Sequence, residues 1–249
     1  MPSAFMKIFV ADDVSESGLE PLRSAGFVVE KRTGLATDDL LEAVRDCEGL
    51  VVRSETKVTP VLMDAAKGLR VIGRAGVGFD NIDVAAATAR GLVVMNAPDG
   101  NTITTAEHTI ALLVSLARRV PQANDSLREG RWERKRFIGV ELQGKTLGIV
   151  GLGRIGRTVA ARARAFGMNI VAYDPFVQPE QARDMELELA TLDEVCARAD
   201  FLTVHTPLTA ETRGIIGAQA FQKMKRGVRV VNCARGGLVD ERALFDAIN

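Results

Sequence analysis

The sequence is poor in the groups that staple small proteins or bind metals. It has three cysteines, Cys47, Cys196 and Cys233, far apart and odd in number. That set excludes a disulfide framework, and no spacing among them suits a metal site or a redox pair. Reduced thiols, no metal and a cytoplasmic location are the expectation. Charge of one sign is also lacking. Lysine plus arginine and aspartate plus glutamate both number 32, for a formal net charge of zero. No basic surplus calls for a nucleic-acid partner. No apolar run is long enough to cross a bilayer, and residues 1–6 lack the basic segment and long apolar stretch of a signal peptide. Neither membrane nor nucleic acid is therefore expected as a partner. There is no repeat and no low-complexity tract. With 249 residues, 47% of them hydrophobic, the chain can bury the cores of one large or two modest domains.

The informative stretch is 146–156, Thr-Leu-Gly-Ile-Val-Gly-Leu-Gly-Arg-Ile-Gly. Residues 147–150 read as a buried strand and 154–165 as a helix. Between and into them run Gly151, Gly153 and Gly156 at G-x-G-x-x-G spacing. The first glycine permits a tight turn, the second lets the backbone approach a pyrophosphate, and the third lets helix and strand pack closely. The helix N-terminus then offers N–H groups and the positive end of its dipole to phosphate. A second strand, 169–173, ends in Asp174, about twenty residues on, where a dinucleotide site places its ribose-binding acid.

Strands and helices alternate along the rest of the chain. Strands are expected at 7–10, 27–30, 50–52, 71–72 and 92–95, and helices at 17–25, from Thr37 as N-cap, from Thr59-Pro60, and at 84–90. Residues 96–101, Asn-Ala-Pro-Asp-Gly-Asn, form a polar break that divides the chain into domains 1–98 and 99–249. Beyond it come a long helix over 104–120, a charged stretch around Trp132, and strands at 147–150, 170–173, 201–204 and 228–231, with a last helix at 241–248. Such alternation implies an α/β fold of two doubly wound parallel-sheet domains. Ligands of such sheets bind beyond the carboxyl ends of strands. Arg53-Ser54, Arg74, His205-Thr206-Pro207 and Cys233-Ala234-Arg235 stand at those ends. Three strand-end arginines suit an anionic substrate, since guanidinium pairs bidentately with carboxylate or phosphate.

Several of these segments together resemble the NAD-dependent D-2-hydroxyacid dehydrogenase family. They are residues 52–58, 73–83, 101–109, 132–139, 151–156, 204–208 and 231–241, including Arg-Ala-Gly-Val-Gly at 74–78, Ala-Glu-His-Thr at 106–109 and Asn-Cys-Ala-Arg-Gly-Gly at 232–237. The segment 132–139 and the loop 74–78 favour the branch that oxidises D-3-phosphoglycerate on the way to serine. Siblings include glyoxylate and hydroxypyruvate reductases, and corepressor-like proteins that sense NAD(H). The resemblance implies a Rossmann-type nucleotide-binding domain inserted into a flavodoxin-like substrate domain, with NAD as cofactor and a small anionic 2-hydroxy acid as substrate. It makes Arg235 the catalytic clamp on the substrate carboxylate, and sets Arg53, Ser54, Arg74 and Asn101 on the substrate side. Arg154 and Ile155 would meet the pyrophosphate and Asp174 the ribose. Val77, Thr206, Pro207, Cys233 and Ala234 complete the cofactor contacts. A homodimer or homotetramer is implied, with Arg134 reaching a substrate phosphate across the interface.

One part of the family pattern is missing. Its acid/base histidine and the assisting glutamate lie beyond the position of Arg235, whereas the only histidines here are His108 and His205, neither in that motif. Both read as local hydrogen-bonding residues. The expectation is an NAD-binding domain incomplete at its C-terminus, whose strand at 228–231 is the fourth of a 3-2-1-4-5-6 sheet. A fragment of that kind would not turn over.

Overall fold

The structure, a computed structural model, describes residues 6–249; residues 1–5, part of the stretch without a signal-peptide pattern, lie outside them. The chain divides into two units, one ending at Asn101 and the other Thr102–Asn249.

The first unit runs β1 (Lys7–Val10), α1 (Glu16–Ser24), β2 (Val28–Lys31), α2 (Thr37–Ala43), β3 (Gly49–Val52), α3 (Pro60–Ala65), β4 (Val71–Arg74), α4 (Val84–Ala89) and β5 (Val93–Asn96). Its five parallel strands lie in the order β2-β1-β3-β4-β5, the flavodoxin-like winding. Alternation along each strand sends Phe9, Leu50, Val52 and Ile72 to one face. There they share a core with Ala43 and Val44, Leu62 and Met63, and Ala87 from the covering helices. Thr59 and Asp83 start α3 and α4, each side chain accepting the N–H three residues on, from Leu62 and Ala86.

The second unit runs α5 (Thr102–Arg118), α6 (Val120–Arg128), a 3-10 turn (Arg134–Phe137), β6 (Thr146–Val150), α7 (Arg154–Ala165), β7 (Asn169–Tyr173), α8 (Pro179–Asp184), β8 (Glu188–Leu189), α9 (Leu192–Arg198), β9 (Phe201–Val204), α10 (Ala218–Lys223), β10 (Arg229–Asn232) and α11 (Glu241–Ile248). All strands are parallel, in the order β10-β9-β6-β7-β8. The central strands are buried on both faces. Leu147, Ile149 and Phe201 face Ala106, Leu113 and Ala117 of α5 and Val159, Ala160 and Ala163 of α7. Val150, Leu202 and Val204 face Val195 and Cys196 of α9 together with Ile216 and Leu238.

The alternation holds as expected, with four differences of detail. Thr37 is the first residue of α2 rather than its cap; Ala36 is the cap and makes no side-chain bond. The long helix starts earlier, at Thr102, and ends at Arg118, before Arg119, whose left-handed φ of 54° breaks it. A second helix follows at once, because Pro121 stands in its first turn, where no amide hydrogen is needed. The two-residue strand β8 is too short to show a period. Counting it makes β10 the fifth strand of a 3-2-1-4-5 order and not the fourth.

Candidate functional site

At the carboxyl end of β6 the chain turns through Gly151 with φ of 100°. A Cβ there would stand 2.8 Å from the carbonyl carbon of His205 and 2.9 Å from its oxygen. Only glycine lets the exit of β6 lie so close to the exit of β9, where His205 N–H donates to Val150 O at 2.7 Å. Gly156, in the first turn of α7, sits so close that a Cβ would strike the carbonyl oxygen of Gly151. Gly153 is different. Nothing lies within 4 Å of where its Cβ would be, and it caps α7 without a side chain. The α7 N-terminus therefore opens onto free space with its dipole uncapped by any side chain.

The loop residue between these glycines is held at both of its peptide groups. Leu152 N–H donates to Asp174 Oδ2 at 2.7 Å, and Leu152 O accepts from Arg157 Nε at 2.7 Å. The other oxygen of Asp174 accepts from Phe176 N–H at 2.9 Å. The acid at the end of β7 is thus tied to the glycine loop itself. Arg154 is exposed at the loop's rim, and the side chain of Ile155 packs against the core.

The end of β9 brings His205, Thr206 and Pro207 beside Gly151. His205 Nε2 lies 3.1 Å from Thr203 Oγ1. Its Nδ1 and the hydroxyl of Thr206 are buried without a partner. Burial lowers the imidazole's pKa from 6.5 to about 4, so it is neutral at physiological pH.

At the end of β10, Asn232 folds the next three residues. Its Oδ1 accepts Ala234 N–H at 3.0 Å and its Nδ2 donates to Arg235 O at 2.8 Å. Cys233, Ala234 and Arg235 then line an open pocket of about 580 Å³ with Thr104, Thr105 and His108 of α5. His108 is exposed in that pocket. Arg134 is exposed on the 3-10 turn.

In the first unit, Arg53 and Ser54 open the loop after β3. The buried carboxylate of Asp12 accepts from Arg53 N–H at 2.5 Å, Thr56 N–H at 3.1 Å and Thr56 Oγ1 at 2.5 Å. Asn81 Nδ2 donates to the carbonyls of Arg53 and Thr56 at 2.8 and 2.7 Å. Arg74, at the end of β4, lays its guanidinium where a Cβ on Gly76 would be. Asn96 Nδ2 holds Val77 O at 2.7 Å. Asn101 is exposed just before α5. The residues that the sequence does not disclose are the holders: Asp12, Asn81, Arg157 and Asn232.

A 3-2-1-4-5 sheet whose glycine loop is bonded to the acid of the next strand defines a dinucleotide-binding protein of the Rossmann class. Residues 110–249 match the family model described as D-isomer specific 2-hydroxyacid dehydrogenase, NAD binding domain. The chain belongs to that dehydrogenase family. It is 54% identical over 243 residues to D-3-phosphoglycerate dehydrogenase of Archaeoglobus fulgidus, covering 98% of this chain and 46% of that one. It therefore spans about half the length of the curated relatives it matches. Among solved structures it is similar to the TT0316 protein from Thermus thermophilus, with a TM-score of 0.90 and 39% identity over 98% of this chain and 78% of that one. It is also similar to D-lactate dehydrogenase from Aquifex aeolicus complexed with NAD and lactic acid, with a TM-score of 0.87 and 28% identity over 97% and 73%.

The depressed pKa of His205 makes a prediction for stability. The unfolded imidazole takes up its proton near 6.5 and the folded one only near 4. The stabilisation is complete above pH 6.5 and is lost as pH falls toward 4. At pH 5 the loss is about 2 kcal/mol relative to pH 7 from this group. Urea unfolding at the two pH values, compared with His205→Asn, should show a smaller drop in the variant; equal drops would mean that His205 titrates normally in the fold.

Proposed function

We propose that the protein is an NAD-dependent oxidoreductase that converts D-3-phosphoglycerate to 3-phosphohydroxypyruvate. The observation that carries the cofactor half is the hydrogen bond from Leu152 N–H to Asp174. It fixes the ribose acid relative to the α7 N-terminus before any ligand arrives. The other features fit a dinucleotide as well: open space over Gly153, and the buried Thr206 hydroxyl lacking a partner. The substrate half is supported by the relative at 54% identity and by the arginines at strand ends. The reading also includes a cytoplasmic location. Burial pushes the thiols of Cys47 and Cys196 up to about 11, so neither is reactive, and no helix among the described residues is long and apolar enough to cross a membrane.

When bound, NAD supplies the acceptor for the hydride leaving C2. Gly151, Gly153 and Gly156 with Arg154 and the Ile155 backbone would receive the pyrophosphate, Asp174 the ribose hydroxyls, and Thr206, Pro207, Cys233 and Ala234 the nicotinamide half. Arg235 would pair with the substrate carboxylate and draw charge from the C2 oxygen as its proton passes to solvent water. Within the first unit, Arg53, Ser54, Arg74 and Asn101 have the donor chemistry that suits the oxygens of an anion. His205 is a poor acceptor for the C2 hydroxyl proton, because an imidazole that protonates only near 4 is too weak a base at neutral pH.

Oligomerisation belongs to the same reading. Leu116 on α5, Val120 and Leu127 on α6, and Trp132 and Ile138 flanking the 3-10 turn are exposed, the last two at 73% and 72%. Such a run of apolar side chains suits an isologous two-fold contact, with Arg134 beside it. A dimer or tetramer by sedimentation at micromolar concentration is expected, and a monomer carrying Trp132→Arg; a monomeric parent would contradict the contact.

Asp174 sets cofactor choice. A 2′-phosphate beside its carboxylate costs several kcal/mol, so NADH should bind at least about a hundredfold tighter than NADPH. Asp174→Ala should narrow that gap. Fluorescence titration of both reduced cofactors decides it, and equal affinities in the parent protein would end the cofactor reading.

Arg235→Lys tests the substrate half. In a protein of the relatives' full length, losing one of two charged hydrogen bonds costs about 1.5–3 kcal/mol, or at least about tenfold in kcat/KM for 3-phosphoglycerate. NADH affinity should stay nearly constant. An unchanged kcat/KM would move the clamp to another arginine.

A further inference from the structure

The first unit carries a second pocket that the proposed reaction does not use. It encloses about 550 Å³ at the carboxyl ends of β1 and β3. In a 2-1-3-4-5 sheet those two strands flank the point where the winding reverses, which is where such sheets bind ligands. Leu35, Leu40 and Leu41 on the α2 side and Val61 and Leu62 of α3 form the apolar wall. The polar rim is Glu55, Thr56 and Lys57 of the loop after β3, with Thr37 and Thr59 and, below them, Asp12, whose carboxylate is taken up by Arg53 and Thr56. Arg53, Ser54 and Arg74 do not line it. Neither Glu55 nor Lys57 has an ion-pair partner among the described residues.

We propose that this pocket binds a small zwitterion with a branched aliphatic body, and that its occupancy is transmitted to Arg53. Two opposite, unpaired charges flank Thr56 on one rim, so a carboxylate meets Lys57 while an ammonium meets Glu55. The aliphatic body meets the leucines. The size and the mix of an apolar wall with few polar groups are those of small-molecule sites. Transmission follows from the two clamps on the loop. Asp12 holds the N–H groups of both Arg53 and Thr56, and Asn81 holds both of their carbonyls. Displacing Thr56 therefore strains the bonds that set Arg53. The pocket stands independently of the proposed reaction; only the meaning of the effect at Arg53 rests on it.

L-leucine is the probe, with isocaproate and isoamylamine as partners that each keep one charge. In the methyl-labelled, amide-labelled protein, L-leucine should shift the methyl signals of Leu35, Leu40, Leu41 and Val61 saturably, with a dissociation constant on the order of millimolar. The Arg53 amide should shift with the same midpoint. Each singly charged analogue, and each of Glu55→Gln and Lys57→Met, should weaken binding by about two- to fivefold, the span of a rim-exposed ion pair. Val61→Trp, at an exposed position on the wall, fills the space and should abolish the shifts while the rest of the spectrum stays folded. No saturable shift in the parent protein, or shifts that survive Val61→Trp, would overturn the site. Pocket shifts without movement at Arg53 would overturn the transmission. None of these readings involves NAD or turnover, so their failure is separate from failure of the proposed function.

Discussion

The carboxyl end of the second sheet depends on one steric constraint: the backbone leaving β6 touches the backbone leaving β9. A Cβ on Gly151 would occupy the space of the His205 carbonyl. With that contact made, the glycine loop is pressed toward the sheet, and Leu152 is brought to where Asp174 and Arg157 grip its two peptide groups. The α7 N-terminus follows, because Gly156 packs on the Gly151 carbonyl one turn later. Glycine costs backbone entropy at each place. Here it is the condition for bringing the helix end, the acid of β7 and the end of β9 to one side of the sheet.

The same contact explains the state of His205. The imidazole next to that carbonyl is buried, with Thr203 on one nitrogen and no partner on the other. In such a place the neutral ring costs less than the cation, and its pKa falls to about 4. From sequence alone His205 reads as a local hydrogen-bonding residue, and its ring lies 3.1 Å from Thr203 Oγ1. The burial argues for a packing role, and the histidine that does share a pocket with Arg235 is His108, two turns along α5.

The alternation of strands and helices was legible because buried parallel strands write themselves as apolar runs and amphipathic helices as 3.6-residue stripes. The glycine loop and Asp174 were legible because their spacing is dictated by a ligand's shape. Two elements were hidden for opposite reasons. β8 has only Glu188 and Leu189, too few residues for a period. α6 was masked by Pro121, which reads as a stop when it follows a helix and as a start when it begins one. The holders were hidden for a third reason. Asp12, Asn81, Arg157 and Asn232 act through backbone groups far along the chain or nearby in a turn, and a peptide group gives no sequence signal.

Those holders nevertheless obey a simple chemical rule, set by what each side chain can give or take. Where a strand-end loop presents two N–H groups, the holder is a carboxylate, which only accepts: Asp12 for Arg53 and Thr56, and Asp174 for Leu152 and Phe176. Where it presents two carbonyls, the holder is an amide nitrogen, which only donates: Asn81 for Arg53 and Thr56. Where it presents one of each, the holder is a whole amide: Asn232 for Ala234 N–H and Arg235 O. An Asp–Asn exchange at any of these positions keeps the shape and reverses the hydrogen bonding at one atom or more, leaving a polar group facing its like. Positioned this way, Arg53 and Arg235 are each set by a side chain that does not itself need to touch a substrate. A functional constellation needs its reacting groups placed to within about half an ångström, and loops reach that precision when their peptide groups are bonded on both sides.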